Sequence, residues 1–266
     1  MINYFAITSS RLEAERYQSL TATERLYLEY IISEYSLRGP FYKSDLEVAM
    51  TLGLSEDKVR RARRRVGRPT TKAIEAAQQA GKDLSSGLGW VLYEPGWKRG
   101  REALATRYID VPAATVLGGD FFASVHRFTF EGLLYEVRRK TIKHQDVIVW
   151  LVLAYLFWRF RGKRQDHDFF VMKDELRSLS GVAAAEASVQ RLHDIWAFPE
   201  GRHLFEHTDQ HRRIVFTKWI WLADPSEDEN ARQLHEQYRV DIARRVKEAK
   251  NPTPQRRQPP AKAAVR

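Results

Sequence analysis

Two short helical patterns joined by a glycine lie between residues 45 and 66, and few small folds accommodate such a pair. In a helix-turn-helix the first helix needs a small residue where the second crosses it, the tight turn needs a glycine, and an aliphatic residue packs the second helix on the core. Ala49, Gly53 and Val59 have these characters, at a spacing of four and then six residues. The segment is therefore predicted to be a helix-turn-helix, with Ser55 as the N-cap of its second helix.

The second of these helices is strongly basic. Six cations and no acidic residue lie between Lys58 and Arg65, while Val59, Ala62 and Val66 share one face at helical spacing. Like charges three or four residues apart destabilise a helix, which favours a neutralising polyanion over a merely solvated basic face. Arginine binds phosphates and also pairs with guanine in the major groove. The residues predicted to contact nucleic acid are Ser55, Lys58, Arg60, Arg61, Arg64, Arg65 and Arg68.

A helix precedes this pair and two extended segments follow it. A capping-box pattern at Thr21 starts the preceding helix, and Gly39 with the proline after it ends the helix. Aromatic and β-branched residues over 90–97 and 104–111 predict a β-hairpin with a basic turn, which is either a DNA-contacting wing or simply exposed. The candidate contacts in this turn are Lys98, Arg99 and Arg101. Three helices and a hairpin give the winged-helix order, so residues 1–117 are predicted to form one winged helix-turn-helix domain.

The same order of elements recurs in the second half of the chain. Helical patterns cover roughly 129–140, 145–160, 172–179 and 184–196, and a second hairpin follows over 204–221. These elements predict a second winged-helix-like domain over residues 118–225. The last of the four helices is less basic than its counterpart, so both DNA contact and protein pairing remain open for it. The candidate DNA contacts of this half are Gln190, Arg191, Arg212 and Arg213.

The predicted fold class is mainly α with small β-hairpin wings. Two tandem winged helix-turn-helix domains are followed by a polar C-terminal helix over residues 226–250 and by a tail over residues 251–266. The tail contains four prolines and no acidic residue. Such a composition buries too little surface to offset chain entropy, so the tail is predicted to be disordered and basic.

An unbroken apolar run extends from Val147 to Trp158. Twelve residues are too few to cross a bilayer, which takes about 20. The run is therefore predicted to be the buried central helix of the second domain, and no membrane partner is expected. The first residues lack the basic and apolar regions of a signal peptide, and the chain has no cysteine. Both features favour a reducing, cytoplasmic location.

Signatures of catalysis are scarce in the sequence. His203, His207 and His211 recur every four residues, but the residues around them favour a strand pair, which separates the imidazoles, over a metal-binding helix. Asp166 and Asp168 lack the further carboxylates of a two-metal nuclease, and no glycine-rich phosphate loop is present. The chain is therefore predicted to be non-enzymatic, with neither a metal nor another cofactor.

Three N-terminal segments resemble a known family. They are Asn3-Tyr-Phe-Ala-Ile, Arg16-Tyr-Gln-Ser-Leu-Thr-Ala-Thr-Glu-Arg-Leu-Tyr-Leu-Glu-Tyr and Ser36-Leu-Arg-Gly. Together they resemble the N-terminal winged helix of plasmid and phage replication initiators, over roughly residues 3 to 66. A second winged-helix half after it is similar to iteron-binding initiators, in which each half reads part of a repeated origin site. The strand that those families often insert between the first two helices is reduced here to Pro40-Phe-Tyr-Lys.

The resemblance implies a sequence-specific, double-stranded DNA-binding protein that initiates replication of a plasmid or other mobile element. A transcriptional or partition regulator with the same domains is the alternative, and an RNA- or membrane-associated scaffold is the second. The net charge is +10, of which +8 falls within residues 58–72 and +4 in the tail. This distribution favours docking on a duplex over coating a membrane. Expected partners are double-stranded DNA, a second copy of the chain and host replication proteins.

Overall fold

The computed structural model describes residues 4–81, 84, 87–96, 98–99, 102–103, 105–116, 120–161, 169–196, 206–208, 213–216, 240 and 244. This part of the chain is mainly helical with small sheets, which confirms the coarse fold class predicted from the sequence. Within these residues, none of the helices combines the length and the apolar character that crossing a bilayer requires.

The N-terminal half begins with a strand and ends with a β-hairpin. Its elements are β1 (Tyr4–Thr8), α1 (Ser9–Leu12), α2 (Glu15–Gln18), α3 (Ala22–Arg38), β2 (Phe41–Lys43), α4 (Asp45–Leu52), α5 (Glu56–Val66), β3 (Gly67–Pro69), α6 (Thr71–Gln79), β4 (Val91–Glu94), β5 (Lys98–Arg99), β6 (Glu102–Ala103) and β7 (Thr106–Asp110), followed by a 3-10 turn at Pro112–Ala114. The predicted helices and hairpin are confirmed, whereas α1, α2 and β3 were not predicted.

Side-chain caps explain where the three main helices begin. Thr21 and Glu24 form a reciprocal capping box at α3, in which the Thr21 N–H donates to Glu24 Oε2 at 2.8 Å and the Glu24 N–H donates to Thr21 Oγ1 at 3.3 Å. Ser44 starts α4 in the same way, and Ser55 caps α5. Gly53 ends α4 with a φ of 64°, a left-handed conformation that glycine adopts without steric cost.

The sheet of this half places the hairpin beside α5. Its strands lie in the order β2, β7, β4, β3, with β3 parallel to β4 and the other pairs antiparallel. The segment before β4 returns over the end of α5, where the Leu88 N–H donates to Arg65 O at 2.9 Å and the Trp90 N–H donates to Val66 O at 3.0 Å. A Cβ built on Gly87 would lie 2.1 Å from a carbonyl oxygen of α5, so this path requires glycine.

The described residues of the C-terminal half form four helices and four strands in a similar order. Its described elements are β8 (Phe122–His126), α7 (Arg127–Arg138), α8 (His144–Arg161), β9 (Phe169–Met172), α9 (Lys173–Ser180), α10 (Ala185–Trp196), β10 (Glu206–Thr208) and β11 (Arg213–Phe216). The four predicted helices and the second hairpin are confirmed where they are described, but β8 and β9 were not predicted. The apolar run lies in α8 and is buried from Val147 to Leu156.

The two halves repeat one topology. β9, β11 and β10 adjoin in the same order as β2, β7 and β4. Gly181 ends α9 with a φ of 64°, as Gly53 ends α4. β1 and β8 pair antiparallel with the same burial pattern, and Ala6 faces Ser124 at the centre of both strands. The halves therefore share part of their topology and meet at equivalent strands.

Each half also binds the end of a helix in the other half. At the start of α3, Arg25 donates to Ser180 O, the last carbonyl of α9. At the start of α8, the ring of His144 bonds to Leu52 O, the last carbonyl of α4, at 3.2 Å. α3 and α8 pack against each other, and residues of both halves belong to one hydrophobic core. The halves are therefore successive in sequence but share a single interior.

The predicted C-terminal helix over residues 226–250 falls mostly outside the described residues. Val240 and Arg244 are described, and both are helical and exposed. The tail predicted to be disordered, residues 251–266, lies entirely outside the described residues.

Candidate nucleic-acid interface

α5 presents an apolar face to the core and a basic face to solvent. Val59 and Val66 are fully buried, and Ala62 is nearly so. The opposite face exposes Lys58, Arg61, Arg64 and Arg65. In the part of the chain that the structure describes, none of these four cations forms an ion pair, because the ion pairs of α5 belong to Arg60 and Arg63. Four of the predicted contacts are thus brought together on one exposed surface.

Two other predicted contacts are engaged within the protein. Ser55 Oγ accepts a backbone N–H of the first turn of α5 at 3.4 Å. Arg60 is hydrogen-bonded to Asp57 and lies 3.7 Å from Glu56 and 3.9 Å from Asp45. The hydrogen bond that Arg60 donates to Asp57 raises the pKa of Arg60. Three carboxylates therefore compensate the charge of Arg60, although its side chain remains partly exposed.

Arg63 faces inward and anchors the basic helix. Its guanidinium donates to Asp45 of α4 and, at 2.8 Å, to Thr106 of β7. The same group lies 5.5 Å from the centre of the Tyr93 ring. Burial alone lowers the pKa of Arg63. The surrounding tyrosines and Asp45 raise this pKa by more than burial lowers it, so the side chain stays charged. The basic pattern in the sequence does not reveal this role, because it depends on partners from two other elements.

The basic surface continues beyond α5. Arg68 is exposed on β3 between two buried residues, and Lys72 is exposed in the first turn of α6. In the hairpin, Lys98 and Arg99 form β5, which pairs with β6. Arg101, the third predicted residue of this turn, lies outside the described residues.

In the C-terminal half, α10 takes the place of α5. Residues 57–66 and 183–192 have the same order of buried and solvent-accessible positions, apart from a half-buried Arg191 where Arg65 is exposed. In this alignment the counterparts of Lys58, Arg61 and Arg64 are Ala184, Ala187 and Gln190. The basic face of α5 is therefore replaced in α10 by small and neutral side chains.

Two charged residues of α10, Glu186 and Arg191, form ion pairs within the protein. Arg191 donates from Nε and Nη2 to the two carboxylate oxygens of Asp146 in α8, at 2.8 and 2.6 Å. Burial raises the pKa of Asp146, but the bonds from Arg191 and the Lys143 N–H lower it more. Glu186 binds Arg177 of α9. Arg191, predicted to contact DNA, is thus placed in a structural ion pair.

Three other residues of this half are predicted to contact DNA: Gln190, Arg212 and Arg213. Gln190 is exposed on α10. Arg213 begins β11, where it pairs with Met172 of β9. Arg212 lies outside the described residues. Among the described residues, no cluster of three or more His, Asp or Glu side chains could hold a metal ion.

A basic segment of the second half lies beside the helical hairpin of α4 and α5, the first helical hairpin of the chain. The sequence did not predict this segment as part of the basic surface. Arg138, the last residue of α7, donates from Nη1 to Thr51 O at 3.5 Å. A Cβ built on Gly53 would lie 3.4 Å from Arg138 Cα. The exposed Arg139 and Lys140 follow directly. No local pattern could have identified this neighbourhood, because about 87 residues of chain separate the two contacting elements.

Comparisons of the chain with protein-family models, curated proteins and solved structures give no match.

Proposed function

We propose that the chain is a tandem winged-helix protein that binds double-stranded DNA sequence-specifically and acts as a replication initiator of a plasmid or other mobile element. The exposed face of α5 carries the proposal. Its four cations lie within three helical turns and have no acidic partner in the described part of the chain. Mutual repulsion of such charges destabilises a helix, and duplex phosphates would relieve it.

The dimensions of α5 suit the major groove. Its 11 residues span about 16 Å, and a major groove about 12 Å wide admits one α-helix. The helical hairpin of α4 and α5, followed by the β4–β7 hairpin, has the order of a winged helix. In this proposal α5 enters the groove, and the β5–β6 turn and the basic tail contact phosphates.

The neutral face of α10 supports a different role for the second half. Glutamine recognises adenine through its amide, and alanine methyl groups contact thymine. Gln190 and Ala187 are uncharged and could therefore contact bases without binding phosphates strongly. The same neutral face also suits a protein partner. Binding energy from phosphates would come mainly from the N-terminal half.

The initiator role depends on the family resemblance of residues 3 to 66. A transcriptional or partition regulator would use the same surface, and it remains the alternative; an RNA- or membrane-associated scaffold is the second. Direct repeats in the DNA beside the coding region would support an initiator, and a single inverted repeat in a promoter would support a repressor.

A duplex titration at several salt concentrations tests the proposal. Binding of the full chain should weaken steeply as salt rises, because phosphate contacts release counterions. The double variant Arg61→Ala, Arg64→Ala should bind specific sites more weakly by roughly 1–3 kcal/mol for each base-contacting residue. The control variant Arg38→Ala, Arg159→Ala removes the same charge elsewhere and should bind normally. Binding only to single strands, or to no nucleic acid, would refute the proposal.

A further inference from the structure

The loop that joins α7 to α8 lies beside the first helical hairpin, although it belongs to the other half of the chain. On one side of the loop, Arg138 lies beside Gly53 and donates to Thr51 O. On the other side, His144 bonds to Leu52 O at 3.2 Å and to Thr23 Oγ1 at 3.0 Å. Both ends of the loop are therefore fixed against the turn between α4 and α5.

The loop is exposed and basic. Arg139, Lys140 and Lys143 are all exposed, and no acidic residue lies between positions 137 and 145. Arg139 is 3.6 Å from Glu136, so its charge is partly compensated. Lys140 and Lys143 form no ion pair with any residue that the structure describes. Lys58, at the start of α5, is close enough to His144 to lower the pKa of that ring, after the larger effect of burial. The cations of the loop thus extend the basic surface of α5.

Lys140 holds an unfavourable backbone conformation. Its φ is 64°, and it is the one non-glycine residue with positive φ among the described residues. The Lys140 N–H donates to Val137 O at 3.0 Å, and the Thr141 N–H donates to Glu136 O at 3.1 Å. This is the Schellman end of a helix, where glycine is the usual residue. A lysine there strains the backbone and its side chain is exposed, so stability does not account for it.

We propose that Lys140 and Lys143 bind backbone phosphates of the duplex that α5 enters. In a docked helix-turn-helix the first helix crosses the phosphate backbone while the start of the second helix reaches the bases. The turn at Gly53 connects these two regions, and the loop is fixed against that turn. The C-terminal half would then contribute charge to DNA binding through this loop rather than through α10. The inference rests on the proposed function.

The test compares Lys140→Gly and Lys143→Gln with Arg159→Gln. Arg159 is an exposed cation 15 residues after His144, about 22 Å further along α8, and serves as the matched control. The probe is a fluorescein-labelled duplex of random sequence, titrated by anisotropy with the full chain between about 50 and 200 mM salt. Thermal unfolding of each variant is followed in parallel.

Each loop variant should lower the slope of log K against log salt by about 0.9 and weaken binding about fivefold near 0.15 M salt. Lys140→Gly should at the same time raise the melting temperature, because glycine relieves the strain. The control should keep the wild-type slope. Wild-type slopes for both loop variants would overturn this inference and leave the proposed function intact. Absence of duplex binding by the wild-type chain would overturn both.

Discussion

Replacing Arg25 by alanine should destabilise both halves of the protein at once. The side chain is 3% exposed and donates to three backbone carbonyls: Leu20 O at 3.1 Å, Gln18 O at 2.8 Å and Ser180 O. Leu20 and Gln18 precede α3, whereas Ser180 ends α9 in the other half. Removal of the guanidinium therefore leaves acceptors without a donor on both sides of the shared core.

The expected loss is about 3 kcal/mol. A hydrogen bond from a charged donor contributes about 1.5–3 kcal/mol, and the bonds to Leu20 O and Ser180 O are the two fully buried ones. Part of this loss is recovered because the variant no longer buries a charge, and burial already lowers the pKa of Arg25. For a chain of this size the loss corresponds to a melting temperature roughly 6–12 °C lower.

Urea denaturation followed by circular dichroism and by tryptophan fluorescence measures this effect. Arg38→Ala is the control, since that arginine is 46% exposed and should cost about 0.5 kcal/mol or less. The two probes should give one coincident transition in both variants, because Arg25 lies in a core that the halves share. A loss below about 1 kcal/mol for Arg25→Ala, or equal losses in both variants, would refute the reasoning.

Three further changes test other parts of the structure. Asp45→Ala leaves the buried Arg63 without its carboxylate and should cost about 3–5 kcal/mol in urea denaturation, against about 0.5 kcal/mol or less for the exposed Arg64→Ala. Gly87→Ala forces a Cβ against the end of α5 and should lower the free energy of unfolding by about 1–3 kcal/mol. An unchanged urea midpoint would contradict the close approach of this segment to α5. Burial lowers the pKa of His144, so the unfolded chain binds this proton more readily than the folded one. The contribution of His144 to the free energy of unfolding should therefore be fully present above pH about 6.5 and be lost as the pH falls below that value. If a His144→Gln variant loses stability with falling pH as the wild type does, His144 is not the cause of the loss.

Much of the fold is predictable where the determinants are local. The capping box at Thr21, the N-cap at Ser55 and the glycine at position 53 are each defined within a few residues, and the helices begin and end where these predict. β1 and β8 are different, because Ala6 pairs with Ser124 across more than a hundred residues and neither strand has a turn that brings it to the other. No local pattern encodes such pairing.

The candidate site was predictable to the same extent. Helical spacing correctly separates the buried Val59 from the exposed Arg61, because amphipathicity is a property of the helix itself. The same spacing puts Arg63 at the flank of the basic face, but it does not predict the ion pairs of Arg63 and Arg191, because Asp45 and Asp146 come from other elements. The loop at Lys140 was missed for the same reason, since its neighbour in space is Gly53.

The halves pair through the equivalent strands β1 and β8, centred on Ala6 and Ser124, as two subunits of a homodimer do when they join through one strand each, but here both belong to one polypeptide. In a true homodimer a substitution in one subunit appears in both, and assembly depends on concentration. Within a single chain neither restriction holds. α10 exposes Ala187 and Gln190 where α5 exposes Arg61 and Arg64, so the two surfaces can bind separate ligands without weakening the contact between the halves.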